Sequence, residues 1–304
     1  MKKKIIVVAG PTASGKTALG IEIANAVGGE IISADSMQVY KGMPIATAAP
    51  TAEERSMANH HLTEFLDCDE GFSVAKWCEL ARVKIDEIIA RGNVPVIVGG
   101  TGLFIDSLVD NIVFEDVEIN TELRSRLMQR DNNSLYEELL SVDSEAAADI
   151  HPNNKKRVVR ALELYYSGSG KTQQNINSRK NDNPYETLYF VIDYRDRQTL
   201  YDRINQRVDK MVELGIVDEA KKALSCKLDT SAQAIGHKEL APYINGELSL
   251  EDAVDNLKKE TRHYAKRQIT WFKRRDNAVR LTVEKDIQEV KSFAVNKCED
   301  FLNG

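Results

Sequence analysis

The segment from Gly10 to Thr17, which reads GPTASGKT, constrains the fold of this chain more than any other feature. It fits the pattern G-x-x-x-x-G-K-[ST], and it stands between an apolar run at 5–9 and a helix-like stretch at 18–27. A strand that turns through glycines into a helix points several backbone N–H groups at one position, with the helix dipole behind them. The segment therefore predicts a site for a di- or triphosphate. The residues expected to form this site are Gly10, Thr12, Ala13, Ser14, Gly15, Lys16, which adds a positive charge, and Thr17, which offers a hydroxyl to Mg²⁺.

Strand-like and helix-like segments alternate along the first hundred residues. The pattern predicts strands at 5–9, 30–34 and 94–98 and helices at 16–27 and 73–91. This alternation is typical of a parallel sheet covered by helices. We therefore predict an α/β fold of the P-loop NTPase-like kind.

The segment from about 115 to 185 differs from its surroundings. It lacks strand-like runs, contains acidic and amide-rich helical stretches, and ends in a polar linker at 175–184. A strand pattern resumes at 188–192 and is followed by a helix at 197–214. We interpret 115–185 as a helical insertion domain, with 1–114 and 186–304 forming the core.

Two strands of the predicted sheet reach an acidic residue of the kind that often holds Mg²⁺ in phosphoryl-transfer enzymes. Asp193 follows one strand and leads into a helix, so we interpret it as a charge at the helix N-terminus. Asp35 follows the strand at 30–34, in a polar loop at the edge where open α/β sheets place substrate groups. This position leaves two roles open for Asp35, metal ligand or general base.

Positive charge is concentrated in residues 258–275, which we call the basic segment. It contains eight Lys or Arg residues and one acid, so it carries +7 although the whole chain carries −6. A local concentration of this kind suits the binding of a phosphate backbone. Its aromatic residues Tyr264, Trp271 and Phe272 fall at the helical spacing of the apolar positions, and we interpret them as core residues. The basic side chains are then expected on the solvated faces.

The composition is that expected of a cytoplasmic enzyme without membrane attachment. The chain has 304 residues, of which 42% are hydrophobic and 29% charged. No apolar run approaches the roughly 18 residues that would span a bilayer. The four cysteines show no C-x-x-C spacing, and we predict that all are reduced structural thiols. They are Cys68, Cys78, Cys226 and Cys298.

Seven short motifs occur in an order that resembles that of bacterial tRNA dimethylallyltransferases, over almost the whole chain. They are GPTASGKT at 10–17, SADS at 33–36, YKGM at 40–43, HHL at 60–62, VGGTG at 98–102, HPN at 151–153 with Arg157 and Arg160, and KRQITWF at 266–272. The resemblance implies transfer of a dimethylallyl group from its diphosphate to N6 of the adenosine immediately 3′ of the tRNA anticodon. The phosphate loop would then bind a departing diphosphate.

The resemblance also implies roles for individual residues. Asp35 would be the general base, and Thr101 a hydroxyl that contacts the substrate. Lys16 and Arg207, with Mg²⁺ bound by Thr17, would stabilise the diphosphate. Helical spacing alone allows Arg203 in place of Arg207, whereas the family pattern favours Arg207.

The partners implied are dimethylallyl diphosphate and the tRNA anticodon stem-loop, bound by a monomer. The residues expected to contact tRNA are Asp35, Ser36, Met37, Gln38, Thr101, Arg124, Lys156, Arg157, Arg160, Lys266, Arg267, Gln268 and Lys273. Residues 115–185 would take part in this contact.

Three positions depart from the family pattern. Ala46, Ala49 and His237 stand where the family usually has Gly, Lys and Tyr. We expect these departures to affect tRNA affinity or preference and to leave the phosphate site and the base intact.

Other functions stay open at this stage. An adenylate isopentenyltransferase would share the loop, Asp35 and Thr101 but would not need the basic segment. A small-metabolite or nucleotide kinase would share only the phosphate loop. A non-catalytic RNA-binding protein would gain nothing from Lys16 and Thr17.

Overall fold

The structure, a computed structural model, describes residues 2–112, 114, 120–168, 170, 183–226 and 234–304. The chain divides into two compact units. The first comprises Met1–Val109 and Pro184–Gly304, and the second comprises Asp110–Asn183. Most of the linker predicted at 175–184 lies outside the described residues.

The first unit contains one sheet of six parallel strands. The order across the sheet is β3-β2-β4-β1-β5-β6. The strands are β1 (Lys3–Ala9), β2 (Gly29–Ser33), β3 (His60–His61), β4 (Val94–Gly99), β5 (Tyr185–Tyr194) and β6 (Val279–Val283). The predicted α/β fold with a parallel sheet is thus confirmed, and the edge strands β3 and β6 are additions to the predicted set.

Strand β1 lies inside the sheet, between β4 and β5. Val7 is opposite Ile97 on one side and Tyr189 on the other. All residues from Ile5 to Ala9 are buried. A continuous apolar run of this kind is typical of parallel strands covered on both faces, which is why the run at 5–9 predicts this strand.

Helices cover the sheet and form most of the C-terminal part of the first unit. They are α1 (Lys16–Val27), α2 (Pro44–Thr47), α3 (Ala52–Met57), α4 (Val74–Ala90), α5 (Gly102–Val109), α10 (Arg197–Glu213), α11 (Ile216–Ala223), α12 (His237–Ile244), α13 (Leu250–Phe272) and α14 (Gln288–Asn303); the numbers between α5 and α10 belong to the second unit.

The helix predicted at 16–27 has these bounds in the structure, and those predicted at 73–91 and 197–214 are one residue shorter at one or both ends. The interpretation of Asp193 was wrong. Asp193 lies inside β5, and Asp196 is the residue whose side chain caps α10 by accepting a hydrogen bond from the backbone N–H of Gln198. The polar stretch before the helix does not distinguish between the two aspartates.

The main apolar core lies between the sheet and four helices, α1, α10, α13 and α14. Leu19 and Ile23 of α1, Ile204 of α10 and Ala294 of α14 pack with sheet residues such as Phe190. Each of the larger side chains contributes about 1.5–3 kcal/mol when it is fully buried. A second cluster joins α10, α11, α12 and α13, with Val208, Met211, Ile216, Leu240 and Leu257 among its members.

The second unit is helical in its described residues, and its bounds, Asp110–Asn183, compare with the predicted 115–185. Its helices are α6 (Thr121–Gln129), α7 (Asn132–Val142), α8 (Ser144–Ala148) and α9 (Lys155–Tyr166). They have their own core, in which Leu127, Leu135, Leu139, Val158 and Leu162 are buried.

Two of the four cysteines are joined in a disulfide, so the prediction of four reduced thiols was wrong. Cys68, in the loop after β3, is bonded to Cys226, just after α11. The two residues are 158 positions apart in sequence, and only the fold brings them together. Cys78 and Cys298 are free and buried, and burial raises the pKa of Cys78 to about 11 and that of Cys298 to about 12.

Among the described residues, no helix has the length and apolar character needed to span a membrane.

Candidate active site

The strand order brings the three predicted site segments together. Strands β2, β4 and β1 are neighbours, and at their carboxyl ends lie Asp35, Thr101 and the phosphate loop respectively. Backbone hydrogen bonds fix two of these ends to each other: the N–H of Ala34 donates to Val98 O at 2.8 Å, and the N–H of Thr101 donates to Ala34 O at 3.1 Å. The site therefore lies at the edge of the sheet where open α/β folds bind ligands.

The phosphate loop requires a glycine at position 15. Gly15 is the N-cap of α1, with φ of 89°, and a Cβ there would lie 3.0 Å from Ile287 Cβ. Left-handed φ and close packing both disfavour any other residue. Because glycine has no side chain, no side-chain hydrogen bond caps α1. The N-terminal N–H groups of the helix are thus not used by a cap and suit an anion.

Gln268 of α13 joins the phosphate loop to the end of β4. Its Oε1 accepts a hydrogen bond from the N–H of Thr12 at 2.8 Å, and its Nε2 donates to Gly100 O at 2.9 Å. Gln268 is only 6% exposed, and a Cβ on Gly100 would lie 2.3 Å from Nε2. The structure therefore uses the Gln268 amide inside the protein, which differs from the expected tRNA contact.

A first cavity opens beside the phosphate loop. Its polar lining includes Thr12, Lys16, Thr17, Asp35, Arg207, Tyr264 and Gln268, along with Ser33, Gln38, Thr47 and His60. Two cations, the Thr17 hydroxyl and the Asp35 carboxylate therefore line the same space. Gly10, Ala13, Ser14 and Gly15 shape the loop without lining this cavity.

Two part-buried cations, Lys16 and Arg207, line the first cavity. Burial, together with the charge of the nearby Arg207, lowers the pKa of Lys16 to about 7, and Asp35 opposes the shift. Burial also lowers the pKa of Arg207, again against the attraction of Asp35. The Lys16 ammonium donates to Pro11 O at 2.6 Å. A polyanion in this cavity would relieve the repulsion between the two cations.

The structure distinguishes Arg207 from Arg203, which the helical spacing could not. Both lie on α10 beside its buried residues, but only Arg207 lines the cavity. The Nε of Arg203 donates to Ala13 O at 3.1 Å, and its guanidinium lies over the Tyr194 ring and 3.7 Å from the Asp286 carboxylate. Arg203 thus supports the phosphate loop from behind, and Arg207 faces the site.

Asp35 is held by the turn that follows β2. Its Oδ1 accepts hydrogen bonds from the N–H groups of Met37 at 2.9 Å and Gln38 at 3.4 Å. The next residue, Ser36, donates its N–H to Thr101 Oγ1 at 3.1 Å. The carboxylate and the Thr101 hydroxyl are therefore fixed with respect to each other.

A second cavity shares part of its lining with the first. Thr12, Asp35, Arg207 and Tyr264 line both. The second cavity adds Ser36, Met37, Ala46, Lys238 and Arg267 among its lining residues. Ligands in the two cavities would thus both lie beside Asp35 and Arg207. The interpretation of Tyr264 as a core residue was wrong, because this side chain lines both cavities, whereas Phe272 is buried in the core as predicted.

Comparison with family models and known proteins shows the family of this chain. The family model described as IPP transferase matches residues 38–275, and one described as isopentenyl transferase matches residues 3–67. The chain belongs to the IPP transferase family.

Relatives of this IPP transferase are similar over nearly its whole length. A tRNA dimethylallyltransferase from Acetivibrio thermocellus is 47% identical over 281 residues, 90% of each chain. The crystal structure of the full-length tRNA isopentenylpyrophosphate transferase from Bacillus halodurans has 40% identity, 98% coverage of each chain and a TM-score of 0.71. A eukaryotic dimethylallyltransferase acting on tRNA has 29% identity and a TM-score of 0.84, covering 99% of this chain and 80% of that one. The family predicted from the motifs is confirmed.

Gln38 of this IPP transferase lies within the first cavity and supports α2. Its Oε1 accepts from Ser33 Oγ at 2.8 Å, and its Nε2 donates to Ala48 O at 2.9 Å and Thr47 O at 3.2 Å. The structure therefore uses the whole amide internally, which differs from the expected tRNA contact.

Two of the three residues that depart from the family pattern, Ala46 and His237, both contact Glu219. The carboxylate of Glu219 accepts hydrogen bonds from the N–H groups of Ile45 and Ala46, both at 2.8 Å, and lies 3.0 Å from His237 Nε2. His237 is fully buried, and Ala46 lines the second cavity. His237 is therefore connected to α2 inside the protein, through the Glu219 carboxylate. Ala49 is also buried, directly after α2.

The basic side chains of the basic segment differ in their exposure and in their contacts within the protein. Lys266, Arg267 and Lys273 are exposed, as is Arg274. Lys258 instead forms an ion pair with Asp209 at 2.6 Å, and Arg262 donates to Asn205 Oδ1 at 2.6 Å. Lys259 is exposed near the middle of α13, and the other exposed basic side chains of the segment lie at the C-terminal end of α13 or directly after it.

The predicted tRNA-binding residues of the second unit fall into two groups. Arg124 donates to both carboxylate oxygens of the buried Glu163, at 2.6 and 2.8 Å, and Arg160 lies 3.4 Å from the same carboxylate. Lys156 and Arg157 are exposed in the first turn of α9. Lys156 and Arg157 are therefore more available to a phosphate than Arg124, because Arg124 is paired with Glu163.

Sequence reasoning missed two functional features of this site. Glu219 and Tyr264 have no motif of their own: Glu219 accepts hydrogen bonds from the N–H groups of Ile45 and Ala46, and Tyr264 lines both cavities. A signal for Tyr264 was present, because it stands four residues before Gln268 and therefore on the same side of α13.

Proposed function

We propose that this protein transfers the dimethylallyl group of dimethylallyl diphosphate to N6 of the adenosine immediately 3′ of the anticodon in tRNA, releasing diphosphate. The observation that carries the proposal is the shared lining of the two cavities: Asp35 and Arg207 line both, and Lys16 lines the first, beside the phosphate loop. The relatives named tRNA dimethylallyltransferase support this acceptor over a free nucleotide.

The diphosphate binds at the phosphate loop. The uncapped N–H groups at the start of α1, Lys16 and Arg207 surround its oxygens, and its charge favours the protonated form of Lys16. The same groups stabilise the charge that grows on the diphosphate as its bond to C1 breaks. Because the bound diphosphate is a leaving group, the reaction does not require the acidic residue that phosphoryl-transfer enzymes have at the end of a strand such as β4.

The lining of the first cavity also suits Mg²⁺. The Thr17 hydroxyl is the protein ligand that would hold the ion, with a carboxylate in the same cavity, and hard oxygen ligands are those that Mg²⁺ prefers. When bound, Mg²⁺ supplies further neutralisation of the diphosphate charge.

The acceptor nitrogen approaches from the second cavity. Delocalisation into the ring makes the adenine amine a poor nucleophile, so it must be held in line with C1. The new N–C bond forms as the C–O bond breaks, and Asp35 accepts the proton that the nitrogen loses. The adenosine must leave the stack of its loop to reach this cavity, at a cost of a few kcal/mol.

The exposed basic residues at the end of α13 bind the tRNA backbone. Lys266, Lys273 and Arg274 lie on the same helix or directly after it, close to Gln268, which contacts the phosphate loop. Lys156 and Arg157 of the second unit supply further contacts. The protein acts as a monomer in the cytoplasm, where its tRNA substrate is found.

A transfer assay tests this function. Labelled dimethylallyl diphosphate is incubated with unmodified tRNA transcript or with AMP, and the Lys16→Met variant serves as the inactive control. We expect label in tRNA, at the nucleoside 3′ of the anticodon. Label in AMP alone would replace the proposal by the adenylate alternative, and label in neither would contradict both.

A further inference from the structure

Glu219 caps a helix to which it does not belong. That helix is α2, and its own N-cap residue, Met43, makes no side-chain hydrogen bond to it. The Glu219 carboxylate, on α11, takes this place: Oε2 accepts from the N–H of Ile45 and Oε1 from the N–H of Ala46, both at 2.8 Å. The free N–H groups and the dipole of a helix N-terminus both favour a carboxylate there. Glu219 therefore fixes the start of α2.

The opposite end of α2 is held by a residue of the loop that carries Asp35. The Nε2 of Gln38 donates to Ala48 O at 2.9 Å and to Thr47 O at 3.2 Å. A helix as short as α2 is not stable by itself in water. The position of α2 therefore depends on tertiary contacts at its two ends, made by Glu219 and Gln38.

The residues of α2 form part of the wall of both cavities. Thr47 lines both cavities, whereas Ala46, beside the Glu219 contact, lines the second, and Ala48, beside the Gln38 contact, lines the first. The end of α2 that Glu219 holds thus lies on the side from which the acceptor approaches. Glu219 is only 7% exposed and lines neither of these cavities, so it reaches a ligand there through α2.

The start of α12 supports the same end of α2 in two ways. His237 is fully buried, and its Nε2 lies 3.0 Å from Glu219 Oε1. A Cβ on the preceding residue, Gly236, would lie 3.3 Å from Ala46 Cβ, so the two segments are closely packed. The contacts of Glu219 and Gly236 together leave the Ala46 end of α2 little room to move.

We propose that Glu219 is a positioning residue for dimethylallyl transfer, acting through α2 on the acceptor. By holding Ala46 and Thr47 in place, it sets the wall beside which the adenosine lies while its amine meets C1 of the donor. This inference rests on the function proposed above. Glu219 contacts neither substrate and transfers no proton.

The Glu219→Gln variant tests this role because it keeps the shape of the side chain and removes one of its two acceptor oxygens. The new NH₂ group cannot accept from an N–H of α2. In single-turnover experiments, enzyme preloaded with dimethylallyl diphosphate is mixed with saturating tRNA, and we expect the rate to fall about ten- to a hundredfold. The dissociation constant of dimethylallyl diphosphate should change less than about threefold, since the phosphate loop binds its diphosphate. That of tRNA should change as little, because phosphate contacts outside the cavities dominate it.

Glu30→Gln is the matched control. Glu30 is 3% exposed, lines neither cavity, and accepts hydrogen bonds from Arg91 and Asn93. Its variant should lower the melting temperature and keep the wild-type single-turnover rate. Glu219→Asp keeps both oxygens on a shorter side chain, so its rate should lie between those of the wild type and Glu219→Gln. Glu219→Asp carries the test if Glu219→Gln does not fold.

Three results would overturn the inference. The first is a wild-type single-turnover rate in Glu219→Gln, or in Glu219→Asp where only that variant folds. The second is an equal loss of rate in Glu30→Gln at a similar melting temperature, which would show that lost stability alone slows transfer. The third is a rise in the dissociation constant of dimethylallyl diphosphate as large as the loss of rate, because α2 would then act on the donor. Failure of the wild type to modify tRNA would instead contradict the proposed function.

Discussion

The backbone N–H of Thr12 donates a 2.8 Å hydrogen bond to the side chain of Gln268, 256 positions along the chain. The contact joins the phosphate loop to α13, the helix whose exposed end carries Lys266. One helix thus supports the diphosphate site with its buried face and presents basic residues to solvent on another. The predicted roles of the phosphate loop and the basic segment are physically linked through it.

Replacing Gln268 by Ala should destabilise the protein. The variant leaves the part-buried N–H of Thr12 and the buried carbonyl of Gly100 without their Gln268 partner, and we expect the free energy of unfolding to fall by about 1–3 kcal/mol. Urea denaturation measures this change. Gln206→Ala, at an exposed position of α10, should change stability by less than about 0.5 kcal/mol. Equal stabilities for the two variants would show that the bridge contributes nothing.

Replacing Asp35 by Asn should stop proton transfer while preserving the turn. Asparagine keeps the side-chain oxygen that accepts from the N–H groups of Met37 and Gln38. We expect turnover to fall by about 10²–10⁴, the range for loss of a general base. Dimethylallyl diphosphate binding, measured by calorimetry, should be no weaker than in the wild type. A variant with wild-type turnover would exclude Asp35 as the base.

Diphosphate binding should be coupled to proton uptake by Lys16. Its pKa of about 7 in the free protein means that the side chain is mostly neutral at pH 8, and a bound diphosphate favours the charged form. Calorimetry at pH 8 in buffers of different ionisation enthalpy should therefore show close to one proton taken up per dimethylallyl diphosphate. Affinity should weaken as the pH rises from 7 to 9. Lys16→Met should show neither effect, and equal uptake in that variant would assign the proton to another group.

Reduction of the Cys68–Cys226 disulfide should lower stability. The bond closes a loop of 158 residues, and loss of such a constraint typically costs about 3–5 kcal/mol. Thiol titration of denatured protein should find two thiols before reduction and four after it. Urea denaturation should show a reductant effect in the wild type and none in Cys68→Ser/Cys226→Ser. Four thiols in protein prepared under oxidising conditions would contradict the bond.

Local sequence patterns predicted much of the sheet and the phosphate loop. The buried run of β1 and the Gly15-Lys16-Thr17 turn into α1 follow from interactions between near neighbours, as does the position of Asp35 at a strand end. Each depends on a pattern that backbone geometry and burial impose within a few residues. The family resemblance added the expectation that Thr101 belongs to the same site.

Pairings between distant segments were not predictable in the same way. No local sequence pattern indicates that β4 lies between β1 and β2. This strand order is what brings Thr101 close to Asp35. The disulfide and the internal use of Gln38 are likewise products of tertiary packing. Tyr264 shows the same limit, because helical spacing places it on a side of α13 without revealing that this side borders a cavity.

The salt dependence of tRNA binding shows whether the exposed end of α13 binds tRNA while a prenyl diphosphate binds elsewhere in the protein. Lys266, Lys273 and Arg274 are exposed and do not line either cavity. Replacing all three by Gln should weaken tRNA binding. The slope of log K against log salt should fall by nearly one unit for each tRNA phosphate that the variant no longer neutralises.

Dimethylallyl diphosphate binding should be unchanged in this triple variant. The control replaces Lys210, Lys221 and Lys222, three exposed lysines on α10 and α11, and should leave the salt slope of tRNA binding as in the wild type. We expect the slope to fall by about two to three units in the α13 variant alone. An unchanged slope in a folded α13 variant would contradict tRNA binding by the exposed end of α13.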